Sequence, residues 1–283
     1  MAEEDIILRG ELIYYAHTLS ERFKGLFVVP ISDIHYGNPL FSESHLNKVL
    51  KFVKDTPNAV AVLNGDLCES TIKTSKGEIY HQVGSPQEQR DWVISKLMPI
   101  KKKILGMTIG NHEMRIWNDV GIDICKDISS ALGVPYRPEG ILLKISFGNG
   151  NNYTEGRAFT YWCYATHGYG GARTRSAKSV KVERTSTFIH ADFYLMSHDH
   201  VVDAGPVIYL LPDPRTRRQK DEAGNETGFT VGRVQAHRKM LVKTNAYIKW
   251  GGYAEMGGFP PSDLACPIVK LNGEGKPNIK VEV

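Results

Sequence analysis

No apolar run in the sequence approaches the ~20 residues that cross a bilayer, so no membrane association is expected. The opening MAEEDIILRG is acidic and lacks the basic-then-apolar pattern of an export leader. Cysteine is scarce: Cys68, Cys125, Cys163 and Cys266 are far apart and form no CxxC pair. That argues against a disulfide framework and fits a reduced, cytoplasmic protein. Repeats, low-complexity tracts and long linkers are missing, so residues 1–283 are expected to form a single domain. Neither charge sign dominates, and a net charge of +4 proves nothing about partners.

What is present is an ordered alternation. GLFVVPISD (25–33), NAVAVLNGD (58–66) and KILGMTIGN (103–111) read as buried strands, short apolar runs ending in polar residues. Between them, 42–56 reads as a helix with Ser42 as cap and Leu46, Val49, Leu50 and Val53 as its apolar stripe. A second helix, 85–100, carries Ser85 as cap, Pro86 in the first turn and Glu88 three residues on. The β-α-β-α-β order implies a largely parallel sheet. The second half (141–148, 157–168, 191–199, 205–212, 238–248 and 267–272) is mostly strand and suggests a second, mixed sheet. Segment 173–190 reads as a helix, and 147–157 as a hairpin loop.

Polar clusters close five of these strands. The first ends in SDIH (Asp33, His35), the second in NGD (Asp66), the third in GNHE (Asn111, His112, Glu113). Later strands end in THG (His167) and SHDH (His198, His200). Two histidines at i and i+2 share one side of an extended chain and can reach one point. Carboxyl ends of strands in open α/β sheets are where ligands bind. Taken singly, each cluster is more often a turn or a cap; five together in matching positions point to a site. Asp33, His35, Asp66, Asn111, His167, His198 and His200 form a mixed oxygen and nitrogen donor set without thiolate. Such a set suits manganese, iron or zinc better than calcium. Seven ligands are too many for one ion and suit two, if one aspartate bridges. Two metals about 3.5–4 Å apart are a phosphoryl-transfer arrangement.

In order and spacing, DIH, GDL, GNHE, THG and SHDH resemble the five motifs of the calcineurin-like metallophosphoesterases, over roughly residues 26–200. The resemblance implies an α/β fold, a four-layer α-β-β-α sandwich of two mixed sheets with metals at strand C-terminal ends. The C-terminal part is expected to complete the second sheet. By resemblance Asp33, His35 and His200 hold one metal, Asp66 bridges, and Asn111, His167 and His198 hold the other. Manganese is the foremost candidate, with iron, zinc or nickel as alternatives. A bridging hydroxide would attack phosphorus, and His112 would protonate the leaving oxygen. Two positions depart from the family: Ser197 stands where glycine is usual, and GDLCEST replaces the GD-x-x-D-R-G of phosphoprotein phosphatases. Glu69 could still orient His112, but Ser70 stands where that branch has a phosphate-gripping arginine.

The surroundings suggest the substrate. Arg173, Arg175, Lys178, Lys181 and Arg184 follow His167, and PRTRRQK (214–220) is a second basic cluster, read as a loop. They read either as solvated surface or as a track for a phosphate backbone. Tyr169 is a candidate to stack on a base. With Arg173, Arg175 and Lys178 as substrate-binding residues, the expectation is a phosphodiesterase, a nuclease acting on DNA. A phosphomonoesterase or a cyclic-nucleotide or other small phosphodiesterase is the alternative, and a non-catalytic metal-binding scaffold a further one. The stretch 249–263, rich in glycine, proline and aromatics, reads as packing or a homo-oligomer contact rather than as a loop closing over substrate.

Overall fold

In a computed structural model, residues 13–19, 23–75, 79–148, 158–244 and 246–283 are described; the expected hairpin loop at 147–157 falls mostly outside them. The first sheet is built on three parallel strands, β2 (Gly25–Ile31), β3 (Ala59–Asn64) and β4 (Ile104–Thr108). Every residue of β3 is buried, because both faces of the sheet are covered. Ala61 and Leu63 point to one core, Val60 and Val62 to another, and this two-sided burial is why the strands read as unbroken apolar runs.

On the outer face lie α1 (Glu43–Asp55), α2 (Pro86–Leu97), α3 (Asn111–Val120) and α4 (Ile124–Leu132). The expected stripe Leu46, Val49, Leu50 and Val53 is the buried side of α1. Ser42 takes the cap position, although its hydroxyl makes no cap bond. Helix α2 carries the expected capping box of Ser85 and Glu88. The other core lies between the sheets, and a third cluster joins Tyr164, Tyr194 and Met196 to Val182 of α5 (Arg175–Phe188). Helices, sheet, sheet and helix give the expected four-layer α-β-β-α sandwich of two mixed sheets.

The second sheet runs in the order β1 (Tyr14–Thr18), β5 (Ile141–Phe147), β6 (Phe159–Thr166), β7 (Phe193–Met196), β9 (Glu226–Lys243), β8 (Asp203–Lys220), with parallel and antiparallel pairs mixed. The C-terminal part is split between the sheets. β8 and β9 extend the second one, but β10 (Ile268–Asn272) pairs antiparallel with β2, and β11 (Ile279–Glu282) with β10, so both join the first. Val269 and Leu271 thereby place their side chains in the core between the sheets. The basic cluster 214–220, expected as a loop, lies in the extended ribbon of β8 with β9, each 18 residues long. Among the described residues no helix is long and apolar enough to cross a membrane.

Candidate metal centre

All five motifs meet at one end of the two sheets. The loops after β2 and β3 run side by side and continue the ladder past the sheet: Asp33 N donates to Gly65 O (2.9 Å), His35 N to Asp66 O (3.0 Å), and Tyr36 N to Leu67 O (3.0 Å). Holding them so requires left-handed backbone at Asp33, His35, Asp66, His198 and His200, with φ between 49° and 73°. This conformation costs about 1–2 kcal/mol at each non-glycine residue. Five of the seven expected ligands carry that strain, which the surrounding hydrogen bonds must sustain. The glycines in GD and GN serve a close approach: a Cβ on Gly110 would lie 2.0 Å from Asp66 N and 2.1 Å from its Oδ1.

The donor atoms form two nests. In one, His35 Nε2 stands 3.1 Å from His200 Nε2 and 3.9 Å from Asp33 Oδ1, and His200 Nε2 is 3.3 Å from that oxygen. In the other, His167 Nε2 lies 3.2 Å from both Asn111 Oδ1 and Asp66 Oδ2, and His198 Nδ1 2.6 Å from Asn111 Oδ1. Asp66 Oδ2 faces both, being also 3.8 Å from His35 Nε2. Its Oδ1 accepts from His112 N at the start of α3 (2.8 Å), which leaves one oxygen to bridge.

Three of the four candidate imidazole ligands have their other nitrogen engaged. His35 Nδ1 meets Glu69 Oε2 (3.1 Å), His167 Nδ1 meets Asn64 O (2.8 Å), and His198 Nε2 meets Gly170 O. These outer nitrogens face fixed oxygen acceptors and keep their protons, so a cation that displaces the inner protons would meet correctly turned rings. The inner nitrogens and oxygens converge to between 2.6 and 3.9 Å of one another, close to the spacing of ligands around a cation at ~2.0–2.2 Å. The residues thus fit two divalent cations. Among the described residues, Asp33 with His35 and His200, and Asp66 with His167 and His198, are groups able to hold one.

Electrostatics agree. Burial opposes charging His35, but the Glu69 hydrogen bond and the charges of Glu69, Asp66 and Asp33 outweigh it and lift the imidazole to about 9. Burial likewise opposes charging His167, and the charge and hydrogen bond of Asp66 outweigh it, to about 10. The pocket therefore attracts positive charge.

Glu69 acts differently from expectation. Its carboxylate holds His35, and its backbone carbonyl, not its side chain, accepts from His112 Nδ1 (2.7 Å). The carboxylate stays 3.8 Å from His112 Nδ1. Burial, with the charge of His35 among its causes, pushes His112 down to about 4, so its Nε2 is a free base toward the cleft. Arg115, one turn further along α3, lines the same cleft, and its buried Nη1 has no hydrogen-bond partner. Ser70 is fully buried, with its N–H on Gln89 Oε1 (2.8 Å).

The buried residues around the site explain the two odd features of SHDH. Asp199, between the ligand histidines, binds Lys181 Nζ (2.6 Å) through Oδ1 and Lys243 Nζ (2.7 Å) through Oδ2, and its carbonyl accepts from Lys178 Nζ (2.9 Å). Ser197 is held by its hydroxyl: Asn64 Nδ2 (2.6 Å) and Thr244 Oγ1 (2.8 Å) donate to its Oγ. Asn64 ends β3 of the first sheet and Ser197 directly follows β7 of the second, so this pair ties the sheets together beside the candidate metal ligands. Glu113 braces the loops from the other side, accepting from the N–H of Asp66, Cys68 and Gly110.

The expected basic face is not one. Lys178 and Lys181 point inward and are buried. Arg175 pairs with Asp203 (2.8 Å), and Arg173 donates to Gly257 O (2.8 Å). Of the four residues expected to bind substrate, Lys178 alone lines the cleft, with its ammonium already engaged; Tyr169 is half exposed outside it. In the ribbon, Arg215 and Arg218 pair with Asp213 and Glu226.

No protein-family model matches the sequence, and no curated protein matches it. Solved structures do. Vacuolar protein sorting 29 from Cryptosporidium parvum is 14% identical, with 91% of this chain and 97% of that chain covered and a TM-score of 0.43. Vps29 complexed with zinc from Entamoeba histolytica is 10% identical (91% and 98% covered, TM-score 0.37). A predicted phosphoesterase from Streptococcus pneumoniae is 12% identical (91% and 97%, TM-score 0.35). Likeness at this level carries no argument about activity.

Proposed function

We propose that the chain is a metal-dependent phosphoesterase that hydrolyses phosphodiesters, a nuclease acting on DNA. The observation that supports the reading is a convergence of donor atoms: His167 Nε2 lies 3.2 Å from both Asp66 Oδ2 and Asn111 Oδ1, in a cleft that His112 also lines. Bound there, two divalent ions would lower the pKa of a water and offset charge on the phosphate. The protein's own groups supply the rest. Glu69 and the carbonyls of Asn64 and Gly170 fix the imidazole tautomers. His112 Nε2 is half-buried beside Asp66 and neutral in the free protein; an anionic phosphate next to it raises its proton affinity. Nε2, protonated from solvent in that complex, would deliver this proton to the departing oxygen and return to the neutral imidazole.

A second reading, a phosphomonoesterase or a small or cyclic phosphodiesterase, is favoured by one observation. Lys178, Lys181, Arg175 and Arg215 are all held by protein oxygens and lay no open track for a polymer backbone. Manganese-dependent hydrolysis of bis-nitrophenyl against nitrophenyl phosphate separates diesterase from monoesterase. Labelled single- and double-stranded oligonucleotides, with Asp66→Asn as control, then test the polymer. Cleavage of the diester but of no oligonucleotide selects the second reading.

A further inference from the structure

The cleft before the metal centre holds about 900 Å³, far more than a phosphate fills. One wall is His35, Asp66, Asn111, His112, His198 and His200. A second, apolar group lines the same cleft: Leu40, Ile248, Trp250, Tyr253, Phe259 and Pro260. The stretch expected to be packing or an oligomer contact thus forms a side of the site. Its rings are not absorbed into a core, since Trp250 is 46% and Tyr253 55% exposed.

This wall is held rigidly to the metal side. Tyr247 N donates to Asp33 O (2.9 Å), behind a metal-ligand candidate, and Lys249 N to Leu40 O (2.9 Å). Trp250 Nε1 donates to Phe259 O (2.8 Å) and closes the loop on itself. Arg173 fixes its far end: besides bonding Gly257 O, its guanidinium lies 4.6 Å above the Phe259 ring. Its role is to hold the wall rather than to grip phosphate. Exposed rings on a preorganised loop are suited to stack a planar group at small entropic cost.

We propose that this wall is a base subsite, which stacks the nucleobase of the nucleoside esterified to the scissile phosphate on Trp250 and Tyr253. The inference rests on the phosphodiester reading and adds the identity of the group beyond the phosphorus. A metal centre alone would not distinguish a nucleoside ester from a methyl ester; this wall does.

The test compares thymidine 5′-nitrophenyl phosphate with methyl nitrophenyl phosphate, which share a leaving group. Trp250→Ala and Tyr253→Ala should each lower the ratio of their kcat/KM values about tenfold or more, through KM of the nucleoside ester. Tyr253→Phe, which keeps the ring, should restore the ratio. An unchanged ratio in both alanine variants overturns the subsite. If the wild type turns over neither ester, the hydrolase reading fails, and calorimetry still tests the wall. Thymidine 5′-monophosphate should bind about tenfold more weakly to Tyr253→Ala while inorganic phosphate binding is preserved; equal weakening of both rejects the subsite. A dinucleotide and a single-stranded oligonucleotide, assayed alongside, distinguish a free nucleotide ester from a strand end as the source of the base.

Discussion

Glu69 Oε2 lies 3.1 Å from His35 Nδ1, in a pair that is buried on both sides. The carboxylate therefore orients a metal-ligand candidate, while the same residue's carbonyl orients the acid candidate His112. One residue thus sets two imidazoles through two different groups, and substitution can separate them. Glu69→Gln keeps the carbonyl and removes the charge. Metal affinity should fall about 10–100-fold, read by manganese titration, while the dependence of rate on leaving group stays as in the wild type. A changed leaving-group dependence with intact metal affinity would reverse the assignment.

His112→Ala removes the group placed to protonate the departing oxygen. Alkyl esters should slow about 10²–10⁴-fold, and nitrophenyl esters, whose leaving group needs no proton, far less. Steady-state rates across a leaving-group series make the comparison. A uniform slowing would assign His112 to binding instead.

Asp199 is the counter-charge shared by Lys181 and Lys243, in a setting where Lys243 is wholly buried. Asp199→Ala leaves two buried ammonium groups without a counter-charge and should destabilise the fold by about 3–5 kcal/mol. Urea unfolding measures this; a loss below about 1 kcal/mol would mean the lysines reach water.

The raised imidazoles make metal uptake depend on pH. With His35 near 9 and His167 near 10, both bind protons at neutral pH in the metal-free protein. Cations must displace those protons, so apparent affinity should rise with pH until both values are passed. Calorimetry in buffers of different ionisation enthalpy should register proton release on binding. Affinity that is flat from pH 6 to 9 would show that these histidines do not ligate.

Much of this was legible in the sequence, for a physical reason. Strands buried on both faces are unbroken apolar runs, so the polar residues that end them stand out, and all five motifs converge as spacing suggested. The basic run was misleading because α5 buries Lys178, Lys181, Val182, Thr185 and Ser186, a helical stripe filled mostly with polar side chains. Periodicity marks such a face as solvated; the acceptor that reverses the conclusion, Asp199, lies 18 to 21 residues away. Helix α3 escaped notice because its first residue is the candidate ligand Asn111. The pairing of β10 with β2 joins the two ends of the chain, and local pattern carries no record of it. The aromatic stretch after residue 249 could be weighed only by composition, which does not say what an exposed ring faces.

The most direct measurement is the manganese content of wild-type protein and of Asp66→Asn after equilibration and removal of free metal. A shared Asp66 Oδ2 predicts two ions per chain in the wild type, close enough to couple magnetically at about 3.5–4 Å, and at most one in the variant. Two tightly held ions in Asp66→Asn, or a wild type that binds none, would contradict the account.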